Sequence, residues 1–102
     1  MDLIGNDILQ EFERKHSSAH QPIQKWRQAV SSARWRNFAE LRATIPSADQ
    51  LKSKRGLVAT IFNIGGNKYR LISEVSYKFE LVRVIVILTH AQYSQEHWKE
   101  KL

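Results

Sequence analysis

Apolar positions recur at helical spacing in the first half of the chain and alternate in the second, with the change near Leu57. Asn6 is placed to cap a short first helix in which Ile8, Leu9 and Phe12 share a face. Pro22 suits the first turn of a second helix, where Ile23, Trp26, Ala29, Val30 and Ala33 line up. Phe38, Leu41 and Ile45 continue the helical spacing to Pro46, which should end a third helix. Residues 47–56 are polar and basic and read as a loop. Residues 57–64, 68–77 and 81–89 are rich in Val, Ile, Tyr and Phe and read as three strands. Residues 92–102 are short, charged and read as helical. Helices first and an antiparallel sheet afterwards predict an α+β fold.

Pairing the strands predicts more than the class. Gly65-Gly66-Asn67 makes a tight turn, because Gly and Asn accept positive φ. That turn sets Asn63 opposite Arg70, Phe62 opposite Leu71 and Ile61 opposite Ile72. A second turn at Lys78-Phe79 sets Val75 opposite Val82, Glu74 opposite Arg83 and Leu71 opposite Val86. One face then holds Phe62, Ile64, Tyr69, Leu71, Val75, Val82, Val84, Val86 and Leu88, which predicts the core beneath the helices. The other face mixes Asn63, Lys68, Arg70, Glu74 and Arg83 with Ile61, Ile72, Ile85 and Ile87. A solvated face has no need of so many isoleucines, so part of it should be covered. Thr89 falls beside Lys68, so Asn63, Lys68, Arg70, Thr89 and His90 converge at one end of the sheet. Any even loop length preserves these faces; one bulged residue would break them.

Composition narrows the chemistry. A chain of 102 residues with 42% hydrophobic and 25% charged residues is expected to form one folded domain, residues 1–102. With no cysteine, there are no disulfides, thiolate metal sites or cysteine nucleophiles. Residues 1–5 lack the basic and apolar regions of a secretory signal, and the apolar run at residues 84–88 is too short to span a bilayer. The expectation is a soluble, cytoplasmic domain with no membrane partner. The net charge of +6 is concentrated between Gln24 and Arg55, where Lys25, Arg27, Arg34, Arg36, Arg42, Lys52, Lys54 and Arg55 face only Glu40 and Asp49. A local basic excess fits a polyanion such as RNA, with Lys52, Lys54 and Arg55 as candidate phosphate contacts, and equally an acidic protein or a solvated helix face.

The convergent residues suit phosphodiester cleavage without a metal or other cofactor. RNA carries its own nucleophile, the 2′-hydroxyl. The protein must remove that proton, stabilise the phosphorane and protonate the leaving 5′-oxygen. Arg70 offers a bidentate fork for phosphate oxygens, and histidine, here His90, is the side chain suited to proton transfer near neutrality. Tyr93, three residues on, can orient the nucleophile, stack on a base or carry a proton. Plainer roles compete: Arg70 shares a strand face with Glu74 and can pair with it, His90 can be structural, and Tyr93 can be packing. His16 and His20 stand four apart but lack acidic neighbours to complete a metal site.

Two linked motifs, Phe62-Asn63-Ile64-Gly65-Gly66-Asn67-Lys68-Tyr69-Arg70 and Thr89-His90-Ala91-Gln92-Tyr93, resemble those of the HigB toxins within the RelE-like group. The specific likeness runs from about Val58 to Tyr93. It implies an α+β toxin of a type II toxin–antitoxin module: an endoribonuclease that cuts mRNA, usually on the ribosome, and inhibits translation. The implied partners are ribosomal RNA and a HigA-like helix-turn-helix antitoxin, which would also explain isoleucines on the open sheet face. By position, Arg70 resembles the phosphate-stabilising arginine, His90 and Tyr93 the C-terminal catalytic pair, and Asn63 and Lys68 their neighbours. Two alternatives stand beside it: a toxin of the same fold that binds a protein target such as gyrase, and an RNA-binding module without cleavage.

Overall fold

The computed structural model describes all residues 1–102. Its strands are β1 (Asp2–Ile4), β2 (Asp49–Lys52), β3 (Val58–Ile64), β4 (Tyr69–Ser76) and β5 (Leu81–Thr89). Its helices are α1 (Asn6–Lys15), α2 (His20–Ser32), α3 (Phe38–Thr44) and α4 (His90–Ser94), with 3-10 turns at Ser17–Ala19 and His97–Lys101. The strands form one sheet in the order β1-β5-β4-β3-β2. The fold is α+β as expected, but the sheet is mixed, because β1 runs parallel to β5.

The three periodic helices form where expected. Ile23, Trp26 and Val30 of α2 and Leu9 and Phe12 of α1 are buried against Phe62, Leu71, Val82 and Val84 of the sheet. Helix α3 ends at Thr44, where the Ile45 N–H still bonds the Leu41 carbonyl and Pro46 can add no further donor. Asn6 is not the cap of α1. Gly5, with φ at +94°, takes that place and lies so close to β5 that a Cβ there would meet the Val84 carbonyl oxygen at 3.0 Å. The Asn6 side chain instead accepts a hydrogen bond from Arg27 Nε at 2.8 Å.

Arg27 is therefore not part of an open basic face. It lies between α1 and α2 and pairs with Glu13 at 2.5 Å, the two side chains being 18% and 11% exposed. The Arg27 hydrogen bond, with help from His20, holds the Glu13 carboxyl below its ordinary value of 4.5, against the opposing effect of burial. A carboxyl depressed in the folded state stabilises the fold above its unfolded pKa, and that stability is lost as pH falls through the lower folded value. Arg27→Ala is accordingly expected to cost about 2 kcal/mol in urea unfolding at neutral pH and to flatten the loss of stability below pH 4.

Two strands escape the sequence pattern. Residues 49–52, expected in a loop, form β2 along the outer edge of β3, with Gln50 opposite Thr60 and Leu51 opposite Ala59. Only Leu51 of this strand is partly buried, so an edge strand of Asp-Gln-Leu-Lys shows no apolar alternation. Three-residue β1 is too short for any period to register, and its partner β5 lies nearly eighty residues away.

The β3–β4 hairpin keeps the expected register, with Asn63 opposite Arg70 and Ile64 opposite Tyr69. Its turn takes positive φ at Gly65 and Gly66, so a side chain at either would be strained. The β4–β5 pairing begins as expected, with Val75 opposite Val82 and Glu74 opposite Arg83, then slips. Ser73 faces Val84 while Ile72 faces Val86, leaving Ile85 as a bulged residue without a β4 partner. Beyond the bulge the faces exchange. Ile87, not Val86, lies opposite Leu71, and Thr89 lies opposite Tyr69, not beside Lys68. Ile87 enters the main core, whereas Val86 and Leu88 join the other face.

That second face is covered, as its apolar content requires, by the chain itself. Trp98 and Leu102, 5% and 6% exposed, pack from the C-terminal 3-10 turn onto Ala59, Ile61 and Ile72. The expected continuous helix over residues 92–102 is two short pieces, broken where Glu96 adopts φ of +62°. No helix is long and apolar enough to cross a membrane.

Candidate active site

Arg70 sits near the hairpin end of β4, between Asn63 of β3 and Leu88 of β5, on the face opposite α1 and α2. Its guanidinium is held from two sides. One amino group donates to the Tyr69 carbonyl oxygen at 3.1 Å, and the other contacts Asn67 Oδ1 in the turn. The carbon of the guanidinium lies 5.4 Å from the centre of the Tyr93 ring. No carboxylate forms an ion pair with Arg70. The alternative partner, Glu74, is taken by Arg83 at 2.9 Å. The Arg70 charge is thus aimed by neutral groups and left uncompensated, as a phosphate-binding arginine requires.

His90 and Tyr93 arrive on α4, which starts where β5 stops. Thr89 and Gln92 form a reciprocal cap: the Thr89 hydroxyl accepts from the Gln92 N–H, and the Gln92 amide oxygen accepts from the Thr89 N–H at 3.0 Å. The His90 N–H is also bonded to the Lys68 carbonyl oxygen at 2.9 Å. This bond ties the helix start to the β3–β4 turn and brings His90 and Lys68 together despite the slipped register. The His90 side chain is exposed, and Tyr93, three residues on, turns half-buried toward Arg70.

Tyr93 is supported from behind. Its ring stacks on Trp98 with centres 5.1 Å apart and planes 13° from parallel, and Trp98 Nε1 donates to the Tyr93 carbonyl oxygen at 2.9 Å. Neither Asn67 nor Trp98 was singled out from the sequence. Asn67 belonged to a turn already explained by its backbone, and a lone Trp near a chain end carries no spacing signal.

Five of the predicted site residues, Asn63, Lys68, Arg70, His90 and Tyr93, therefore gather at one end of the sheet. Lys52, Lys54 and Arg55 do not. They lie around the β2–β3 turn at the other end, about 20 Å along β3 from the hairpin. There they line a cleft of about 470 Å³ with Leu51, Ser53, Lys99, Leu102 and one carboxylate, Glu100. Elsewhere in the basic segment Arg27 is paired internally, Arg36 pairs with Glu40 at 2.9 Å, Arg42 lies over the Phe38 ring, and Lys25 and Arg34 line a separate cleft beside α2 and α3. His16 and His20 are also accounted for locally, His16 stacked on Phe12 and His20 bonded to Glu13.

The family described as HigB_toxin, RelE-like toxic component of a toxin-antitoxin system, matches residues 19–96, more than three-quarters of the chain. The chain belongs to the HigB toxin family. No curated protein matches it. The HigB family match spans α2 through α4 and so contains the hairpin, Arg70, His90 and Tyr93, and also the Lys52–Arg55 turn. It stops at Glu96, before Trp98 and the rest of the C-terminal 3-10 turn.

Proposed function

We propose that this HigB-family toxin is a metal-independent endoribonuclease that cuts mRNA on the ribosome and thereby inhibits translation. The observation that carries the reading is the unpaired Arg70 guanidinium, held beside Tyr93 on the same sheet end as His90 and Lys68. The 2′-oxygen of one nucleotide attacks the adjacent phosphorus, and the bond to the 5′-oxygen of the next nucleotide breaks. The products are a 2′,3′-cyclic phosphate and a free 5′-hydroxyl. Arg70 binds the non-bridging oxygens as their charge grows. His90 transfers a proton at the reacting oxygens, Tyr93 sets the nucleotide against Arg70, and Lys68 and Asn63 hold the flanking backbone. Metal is not required, because the proton carriers and the cation are side chains.

The cleft at Lys52, Lys54 and Arg55 serves a different step. It lies on the same open side as Arg70 but too far from it to touch the scissile phosphate, so it anchors ribosomal or messenger RNA backbone. Replacing all three residues with Gln is expected to weaken binding to mRNA-programmed ribosomes and to lower the slope of log affinity against log salt by about 2. The single-turnover cleavage rate at saturating ribosomes should stay unchanged. A cognate antitoxin with a helix-turn-helix domain restrains the toxin.

The deciding experiment is induced expression of the wild type beside Arg70→Ala and His90→Ala, with growth and mRNA 5′ ends followed together. Growth arrest with discrete mRNA cuts, relieved in both variants and by the co-expressed antitoxin, is the expected result. Arrest with intact mRNA would overturn the nuclease reading in favour of a protein target.

A further inference from the structure

Tyr93 is the one site residue whose position depends on a segment outside the HigB family match. Helix α4 is only five residues long and cannot hold a large side chain by its own backbone bonds. Its C-terminal cap is followed by Glu96 in a left-handed conformation, which turns the chain back across the open sheet face. The returning 3-10 turn inserts Trp98 between Tyr93 and the apolar residues Ile61 and Ile72. Trp98 is 5% exposed, and Leu102 anchors the same turn further along the sheet. Arg70, Tyr93 and Trp98 therefore form one continuous stack, with the guanidinium 5.4 Å from the Tyr93 ring and the indole 5.1 Å behind it.

We infer that Trp98 is a positioning residue for cleavage: it fixes the Tyr93 ring against Arg70 from behind. Two contacts act together. The near-parallel stack fixes the ring plane, and the indole N–H bond to the Tyr93 carbonyl oxygen fixes the α4 backbone. The indole is buried on the sheet side of the stack, so it acts on RNA only through Tyr93. Lys99, next in the chain, lines the basic cleft, so one short strap connects the cation-rich end of the sheet to the cleavage site. The inference rests on the nuclease reading above and adds a residue to it.

The test compares Trp98→Leu, which keeps an apolar plug over Ile61 and Ile72, with Trp98→Phe, which keeps an aromatic ring to stack on Tyr93 but loses the N–H donor and the indole's second ring. Full-length proteins are assayed for cleavage of labelled mRNA on programmed ribosomes, and thermal melting and circular dichroism report folding. Trp98→Leu is expected to lower kcat by about 10- to 100-fold with KM nearly unchanged, because Tyr93 is bound but misaligned. Trp98→Phe is expected to recover kcat to within about 3-fold of wild type, since the aromatic stack is retained. Trp98→Met replaces the Leu variant if that protein does not fold. A purely structural Trp98 would lower the melting temperature and leave kcat of the folded fraction intact, and that result overturns the inference. A loss seen in KM alone overturns it too, and equal kcat losses in the Phe and Leu variants overturn the stack as the contact that positions Tyr93. If wild type cleaves and Tyr93→Ala does not, the nuclease reading stands whatever Trp98 does; if wild type itself leaves mRNA intact, both fall.

Discussion

Arg70→Ala is expected to reduce mRNA cleavage by about 100- to 1,000-fold while leaving ribosome binding close to wild type. The size follows from where the guanidinium stands. It is held by the Tyr69 carbonyl, the Asn67 side chain and the Tyr93 ring, none of which neutralises it. Its charge is therefore available in full to the oxygens that become more negative in the phosphorane. An arginine already paired with Glu74 would have to break that pair first, but Glu74 is committed to Arg83. Binding survives in the variant because the basic cleft at Lys52, Lys54 and Arg55 lies at the opposite end of the sheet. Arg70→Lys tests geometry rather than charge. A lysine keeps the cation but loses the planar fork and the face presented to Tyr93, so it should recover only a small part of the rate. Cleavage of defined mRNA on purified ribosomes under single-turnover conditions measures all three proteins. A fall in binding equal to the fall in cleavage would make Arg70 an RNA anchor and sink its assigned role.

The placement of the candidate site residues was largely legible from the sequence because its most informative pairing is local. The turn at Gly65-Gly66 fixes Asn63 opposite Arg70 with no long-range information, and two-residue alternation then assigns the face. The same reasoning failed past Ile72, because a single bulged residue at Ile85 reverses every later assignment on β5. Nothing in a run of Val, Ile and Leu marks which residue will be extra. His90 nevertheless reached the predicted neighbourhood, since the end of β5 must meet the β3–β4 turn in either register. The backbone bond to Lys68 supplies the link once expected of Thr89.

Charge was legible in sum but not in place. The basic segment predicted one footprint, whereas folding splits it. Arg27 turns inward to Glu13, Arg36 pairs with Glu40, and Lys52, Lys54 and Arg55 meet Lys99 from the far end of the chain. Linear density cannot foresee this, because ion pairing depends on which helix faces cross. Of the isoleucines assigned to the open face, Ile61 and Ile72 are covered there, Ile85 is partly buried against the same cluster, and Ile87 belongs to the main core instead. Trp98 and Leu102 provide the cover for Ile61 and Ile72, so those positions call for no antitoxin. Ile4 at the β1 edge stays exposed, and Ile85, Val86 and Leu88 are only partly buried.

His90→Ala is expected to lower cleavage by about 100- to 10,000-fold, the usual range for losing a positioned proton carrier, again with little change in binding. Its side chain is exposed at the start of α4, with the backbone fixed by the Thr89 cap and the bond to Lys68. The fixed backbone matters because a proton carrier on a frayed helix end would spend little time in line with the reacting oxygens. The same variant separates two roles. If His90 protonates the leaving 5′-oxygen, an mRNA carrying sulfur at that bridging position needs no such help, because a thiolate leaves without protonation. His90→Ala should then cut the sulfur-bridged substrate at nearly the wild-type rate while remaining defective on the oxygen substrate. If His90 removes the 2′-hydroxyl proton, both substrates suffer equally, because nucleophile activation is unchanged by the leaving group. Tyr93→Phe supplies the complementary measurement. It keeps the ring on Trp98 and against Arg70 and removes only the hydroxyl, so a loss confined to the sulfur-insensitive step assigns that hydroxyl to the nucleophile side. Wild-type rates in both His90→Ala and Tyr93→Phe would mean that neither side chain carries a proton, and the role given to His90 would have to be abandoned.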